Sequence, residues 1–323
     1  MRVIFTLIAL FGTFASTYTT FSRTTVSKVF ELDKVGTWFE NLAVSEAGYI
    51  LATRADVPEV WKIDPIKEAG SRLVEIPQLT TLMGITEVHA SEFVVAGTNV
   101  TETGAAVPGS SQAWKLDLRS SSPEVSLITT FPHSGRLKGI TKANAETILL
   151  ADSTAGVIYK LDLRTNDIET ALSDPPTMTF PQNASLPYGV NGVKTLHEYV
   201  YYTNTARKLF CRIPVDSQFH ATGPSEVIAS GFIQDDFALL PDGTAYIAAG
   251  AQNTVLEVTS GGQVSVAAGS LNSSQIPSAT SVQMGRKVAE RSTLYVTDSG
   301  AQLSPINGTL ALPASIVAIH LEH

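Results

Sequence analysis

Six times along the chain a short amphipathic strand returns: VWKIDP at Trp61, AWKLDL at Trp114, IYKLDL at Tyr159, LFCRIPV at Phe210, VLEVTS at Leu256 and IVAIHLE at Val317. Successive anchors lie 53, 45, 51, 46 and 61 residues apart. A period of about 40–50 residues belongs to propeller blades or to solenoids. The content of each repeat decides between them. The third reads KGITKA, TILLADS, then GVIYKLDL; the fifth reads DFALL, the turn PDGT, AYIAAG, then NTVLEVT. Asp-Gly between two apolar runs is a hairpin signal, and no helical periodicity of twelve residues or more stands out. Many short strands with regular turns make the chain all-β, and six repeats predict a six-bladed β-propeller in one domain over residues 16–323. The segment FSRTTVSKVFEL, Phe21 to Leu32, precedes the first repeat and is expected to add an outer strand that closes the ring against the last.

Composition limits what such a propeller does. With 22 Lys+Arg against 30 Asp+Glu the net charge is -8, which argues against a nucleic-acid partner. Residues 1–15, MRVIFTLIALFGTFA, carry an Arg, an apolar run and small residues around Ala15. That is the plan of a secretory signal peptide, and the apolar run is too short to span a membrane. Four N-x-[ST] sequons, at Asn99, Asn183, Asn272 and Asn307, are candidate glycosylation sites and agree with export. The single Cys211 has no partner for an internal disulfide and sits in an apolar strand, as a buried thiol. No pair of the six histidines has H-E-x-x-H spacing, no G-x-S-x-G marks a nucleophile elbow, and no Gly-rich loop precedes a helix.

In a propeller the first strand of each blade lines the axis, so the residues that begin these strands are the candidates for chemistry. They are Trp38-Phe39-Glu40-Asn41, Met83-Gly84-Ile85, Leu137-Lys138-Gly139, Tyr188-Gly189-Val190-Asn191, Asp235-Asp236-Phe237 and Ser281-Val282-Gln283-Met284. His133 lies just before the third of them and is a further candidate. Trp38, Phe39, Met83, Tyr188, Phe237 and Met284 offer apolar walls for a bulky, hydrophobic small molecule, with Glu40, Asn191 and Gln283 as polar contacts.

The motifs W-x-E-N at Trp38, Y-G-V-N-G at Tyr188 and D-D-F-A-L-L-P-D-G at Asp235 resemble the senescence marker protein/gluconolactonase family of six-bladed propellers. That resemblance implies an axial divalent metal serving lactone hydrolysis, with Glu40, Asn191 and Asp235 or Asp236 among its ligands. The chain departs at blade three, where Lys138 stands in place of an Asn ligand. An ammonium offers donors and no acceptor, while a calcium-like ion wants six to eight oxygens. The expectation is therefore a channel without metal or cofactor, in which Lys138 pairs with Glu40, Asp236 or both.

A secreted propeller with an apolar channel and an eroded metal site is similar to the fungal hetero-Diels–Alderases of tropolone–sesquiterpene biosynthesis. The resemblance implies joining a tropolone-derived o-quinone methide to a humulene-type alkene. Lys138, Tyr188 or Asn191 would then donate a hydrogen bond to the quinone methide carbonyl, and Asp236 or His133 would act as acid on a hydroxymethyl precursor. A metal-dependent lactonase and a non-catalytic secreted binding propeller are the alternatives, and the oligomeric state is left open.

Overall fold

The computed structural model describes residues 24–322. Residues 1–15, expected from the sequence to be a signal peptide, lie outside the described residues. Six four-stranded antiparallel sheets follow one another around an axis, each inner strand lying beside the inner strands of its two neighbours. The inner strands are Phe39–Val44, Thr81–His89, Leu137–Lys142, Val190–Leu196, Phe237–Leu239 and Ala279–Met284. All six anchors of the sequence repeat fall on the third strand of a blade.

The sixth blade is completed from the other end of the chain. Thr25–Val35 pairs antiparallel with Pro313–His320 as its outermost strand. Val29 and Leu32 from this strand are buried with Phe39, Ile316 and Ala318, so burial of apolar surface holds the ring shut.

Period-two alternation sends alternate residues of each strand into the spaces between sheets. Tyr202, Phe93, Phe131 and Phe210 fill those spaces and are fully buried. Cys211 lies in the same layer, packed near Met178 and Val193, and burial pushes its thiol up to about 12. It is an inert packing residue. No helix of the described residues is long and apolar enough to cross a membrane.

The face where inner strands begin also carries the longer connections. Between second and third strands the chain uses 55–58, 153–156, 205–208 and 250–253 in four blades, but 99–110 in blade two and 299–312 in blade six. The connection 174–189 into blade four joins them. These three long segments form the rim of the axial mouth.

Candidate functional site

Five of the six inner strands break register with the second strand just after they begin: between Phe39 and Asn41, Leu82 and Ile85, Leu137 and Ile140, Val190 and Val193, and Ala279 and Ser281. Such bulges re-aim side chains and sit next to functional sites. The residues they release include Glu40, Met83, Lys138 and Asn191, all of which line one cavity at the mouth. Glycine follows three of them because neighbouring inner strands approach closely here. A Cβ on Gly139 would stand 2.5 Å from the Asn191 carbonyl oxygen, and one on Gly192 would stand 2.9 Å from the Asp236 Cα.

The cavity has a volume of about 290 Å³. At its floor Lys138 Nζ donates to Glu40 Oε1, and the two side chains are only 8% and 5% exposed. Trp38 Nε1 donates to the other oxygen, Glu40 Oε2, at 2.6 Å. The Lys138 ammonium also lies 5.2 Å from the Tyr188 ring centroid, and the Arg136 guanidinium approaches that ring at 5.2 Å, both within cation–π range. Arg136 Nη1 donates to the Tyr188 hydroxyl at 3.2 Å, and its Nη2 donates to the Gly104 carbonyl on the 99–110 loop. Arg136 thus ties rim to floor. Burial works to lower the Lys138 pKa, but Glu40, Asp235 and Tyr188 together hold it above the ordinary lysine value. Lys138 is a charged donor with one N–H committed to Glu40 and three N–H groups in all.

Asp235 lines the same cavity. Its carboxyl is pushed up to about 8 in all: desolvation raises it most, the Lys138 ammonium draws it down, the Glu40 and Asp236 charges push it up, and the Asn191 amide draws it down. Two carboxyl groups beside one ammonium cannot both be neutralised by it, so one keeps its proton. Asn191 Nδ2 is braced by the Thr205 hydroxyl at 2.9 Å.

Asp236, by contrast, lies deeper and does not reach the cavity. Its oxygens accept from Lys194 Nζ at 2.8 Å, Asn41 Nδ2 at 2.8 Å and Ser281 Oγ at 3.2 Å. It clasps blades one, four, five and six across the axis. Lys138 accordingly pairs with Glu40 and not with Asp236. Nor do these residues fit a hard divalent cation. Lys138 Nζ occupies Glu40 where an ion would sit, Asp236 is committed to Lys194, and no three His, Cys, Asp or Glu side chains among the described residues gather as a ligand set.

The remaining walls are apolar. Met83 lines them from blade two, and Val100, Leu186, Ile233 and Leu303 close them from the rim and blade five.

Several expected positions need correction. Phe39 and Phe237 are fully buried between blades rather than at the mouth: Phe39 stands edge-on to Trp61 at 6.4 Å, Phe237 edge-on to Phe210 at 5.2 Å. Alternation points them away from the axis when Glu40 and Asp236 face it. Gln283 and Met284 lie at the opposite mouth with Lys142, Lys194 and Arg286, because the sixth inner strand begins at Ala279 and they are its far end. His133 is exposed and borders an outer groove with Phe131, Tyr159 and Glu169; Arg136 is the residue of that loop that reaches the cavity. Neither Asp236 nor His133 lines the cavity, whereas Asp235 does. Among the sequons, Asn183, Asn272 and Asn307 are exposed, whereas Asn99 is half-buried.

Sequence reasoning missed Arg136, Lys194 and Gln234. Arg136 and Gln234 each stand beside a residue already singled out, and Lys194 sits at the far end of an inner strand whose start drew attention.

No family model matches the chain. It is 25% identical over 319 residues to a protein of Phoma sp. that carries the provisional name hetero-Diels–Alderase, covering 88% of each chain. A second protein with that provisional name, from Sarocladium schorii, is 25% identical over 306 residues, covering 81% of this chain and 75% of the relative. Among solved structures, a luciferin-regenerating enzyme superposes with a TM-score of 0.66 at 14% identity, over 92% of this chain and 95% of that one. Regucalcin from Agrobacterium tumefaciens, described as a calcium-binding protein, superposes with a TM-score of 0.64 at 13% identity, over 91% and 94%. These neighbours share the six-bladed fold.

Proposed function

We propose that the cavity catalyses an intermolecular hetero-Diels–Alder reaction between a tropolone-type o-quinone methide and a humulene-type alkene, without a metal. The observation that carries this reading is the buried Lys138–Glu40 pair set among Tyr188, Asp235 and an apolar wall. It supplies a fixed cation and an acid but no nucleophile, and it accompanies similarity to relatives provisionally named for this reaction.

Each part has a task. Asp235 protonates the hydroxyl of a hydroxymethyl precursor; its C–O bond breaks and water leaves, the ring hydroxyl returns its proton to the Asp235 carboxylate, and the neutral quinone methide forms. Lys138, kept charged by Glu40, donates to the carbonyl oxygen, where negative charge gathers as the alkene attacks. The Tyr188 ring supports the planar heterodiene. A cavity of about 290 Å³ is at the small end of ligand pockets, about 300–1,000 Å³. It encloses the polar reactant and leaves the alkene against Met83, Val100 and Leu303 at the open rim. One C–C and one C–O bond then form with no atoms lost, so positioning does most of the work; at its upper end it is worth about 7–11 kcal/mol.

The test generates the quinone methide in situ beside the alkene, with and without protein, and follows rate and stereoisomer ratio chromatographically. A faster reaction giving one predominant stereoisomer supports the proposal. A ratio and rate equal to those in buffer reject it.

A further inference from the structure

We propose that Gln234 forms a hydrogen-bonding subsite in the cavity for a ligand that carries a hydroxyl directly beside a carbonyl. Gln234 is fully buried and lines the cavity. Among the described residues neither its amide nitrogen nor its amide oxygen has a hydrogen-bond partner. Buried side-chain polar atoms are overwhelmingly paired, because an unpaired one has lost its water without replacement. The backbone of Gln234, by contrast, is secured: its carbonyl accepts from the Thr205 hydroxyl at 2.8 Å, and that hydroxyl accepts from Asn191 Nδ2. The residue is held in place while its side chain is kept for something absent from the chain itself.

The chemistry of a carboxamide says what that is. It presents an acceptor and donors in one plane, so its edge pairs with a ligand whose own donor and acceptor are adjacent and coplanar. A carboxylate supplies acceptors only and leaves the amide oxygen unpaired. An alkene supplies neither. An enolic hydroxyl next to a carbonyl supplies both, and it leaves a second carbonyl lone pair for Lys138, which lines the same cavity. The subsite rests on the cavity being where substrate sits, as proposed above, but not on the cycloaddition; it assigns the polar end of the substrate.

The test is calorimetric titration of the protein with tropolone, which has the paired groups, and with 2-methoxytropone, which lacks the hydroxyl proton. Mildly acidic buffer keeps the tropolone protonated. Tropolone is expected to bind at least about tenfold more tightly, the effect of one buried hydrogen bond left unmade. Gln234→Met is expected to abolish that preference and to leave the melting temperature unchanged or raised, since it removes unpaired polar atoms. A merely structural glutamine gives the reverse: a lower melting temperature and an unchanged preference. Should Gln234→Met not fold, Gln234→Asn keeps the amide but withdraws it by one methylene, and is expected to lose the same preference. Equal binding of the two tropones, no binding of tropolone, or a preference surviving in the substituted protein overturns the subsite. Turnover measured on the same proteins separates the two proposals. Catalysis without a hydroxyl preference removes the subsite alone; a preference without catalysis removes the reaction alone.

Discussion

Replacing Lys138 by methionine separates the stability of the buried pair from its chemistry. Lys138 and Glu40 are 8% and 5% exposed, so removing the ammonium strands a carboxylate in a site walled from solvent. Breaking a buried pair in this way costs about 3–5 kcal/mol. At about 2 °C per kcal/mol for a domain of this size, Lys138→Met should lower Tm by about 6–10 °C in a circular-dichroism melt. Glu40→Gln added to Lys138→Met removes the stranded charge, and the glutamine oxygen still accepts from Trp38 Nε1. A neutral replacement of a buried pair is often close to neutral in stability, so the double variant should recover most of the loss. The chemistry should not recover. Both variants lack the charged donor, and each should lose about 10²–10³ of the cycloaddition rate above background. A single variant as stable as the double would mean that the pair is not buried as described. A double variant with wild-type rate would mean that Lys138 is not the donor.

Asp235→Asn should abolish conversion of the hydroxymethyl precursor, and the wild-type rate of that step should fall as pH rises through about 8; a flat profile would exclude this acid. The same raised carboxyl makes the native state bind a proton that the unfolded chain releases above about pH 4, so its contribution to stability is complete below that pH and is lost by about pH 8. Asp235→Asn should flatten the fall in Tm over that window. Leu32→Ala, in the strand that closes the ring, should cost about 2–5 kcal/mol by denaturant melt; a smaller effect would show that closure carries little. Made in a eukaryotic host, the chain should carry glycans on Asn183 and on one of Asn272 and Asn307. The Asn307 backbone N–H donates to the Asn272 side-chain oxygen at 3.4 Å, which sets the two sequons side by side. Absence of any glycan by mass spectrometry would count against passage through the secretory pathway.

The propeller was legible because alternation and turn chemistry repeat in every blade: the anchors at Trp61, Trp114, Tyr159, Phe210, Leu256 and Val317 each mark a third strand. The closing strand was legible for the same reason, an alternating segment with no blade of its own. The long spacings of 53, 51 and 61 residues contain the rim loops 99–110, 174–189 and 299–312, a signal present but not read. The site was legible where residues of distinctive chemistry stand at or just before the start of an inner strand, as at Trp38, Glu40, Lys138, Tyr188 and Asn191. In blade six the strand begins with Ala279-Thr280-Ser281, small residues that announce nothing, and attention slid to Gln283 and Met284. Asp235 and Asp236 are chemically identical neighbours, and only depth along the axis assigns one to the cavity and the other to Lys194. Gln234 carries no pattern at all. Its meaning lies in the absence of partners, which only the folded arrangement reveals.

The stereoisomer ratio of the adduct bears most directly on where the two reactants meet. It is best measured with Ala251→Trp, which places an indole in the cavity at this mouth, beside Met284→Trp, which alters the opposite mouth and leaves the cavity open. The site described here requires Ala251→Trp to return the ratio to that of buffer while Met284→Trp keeps the wild-type ratio. Selectivity that survives in Ala251→Trp, or that disappears in Met284→Trp, contradicts it.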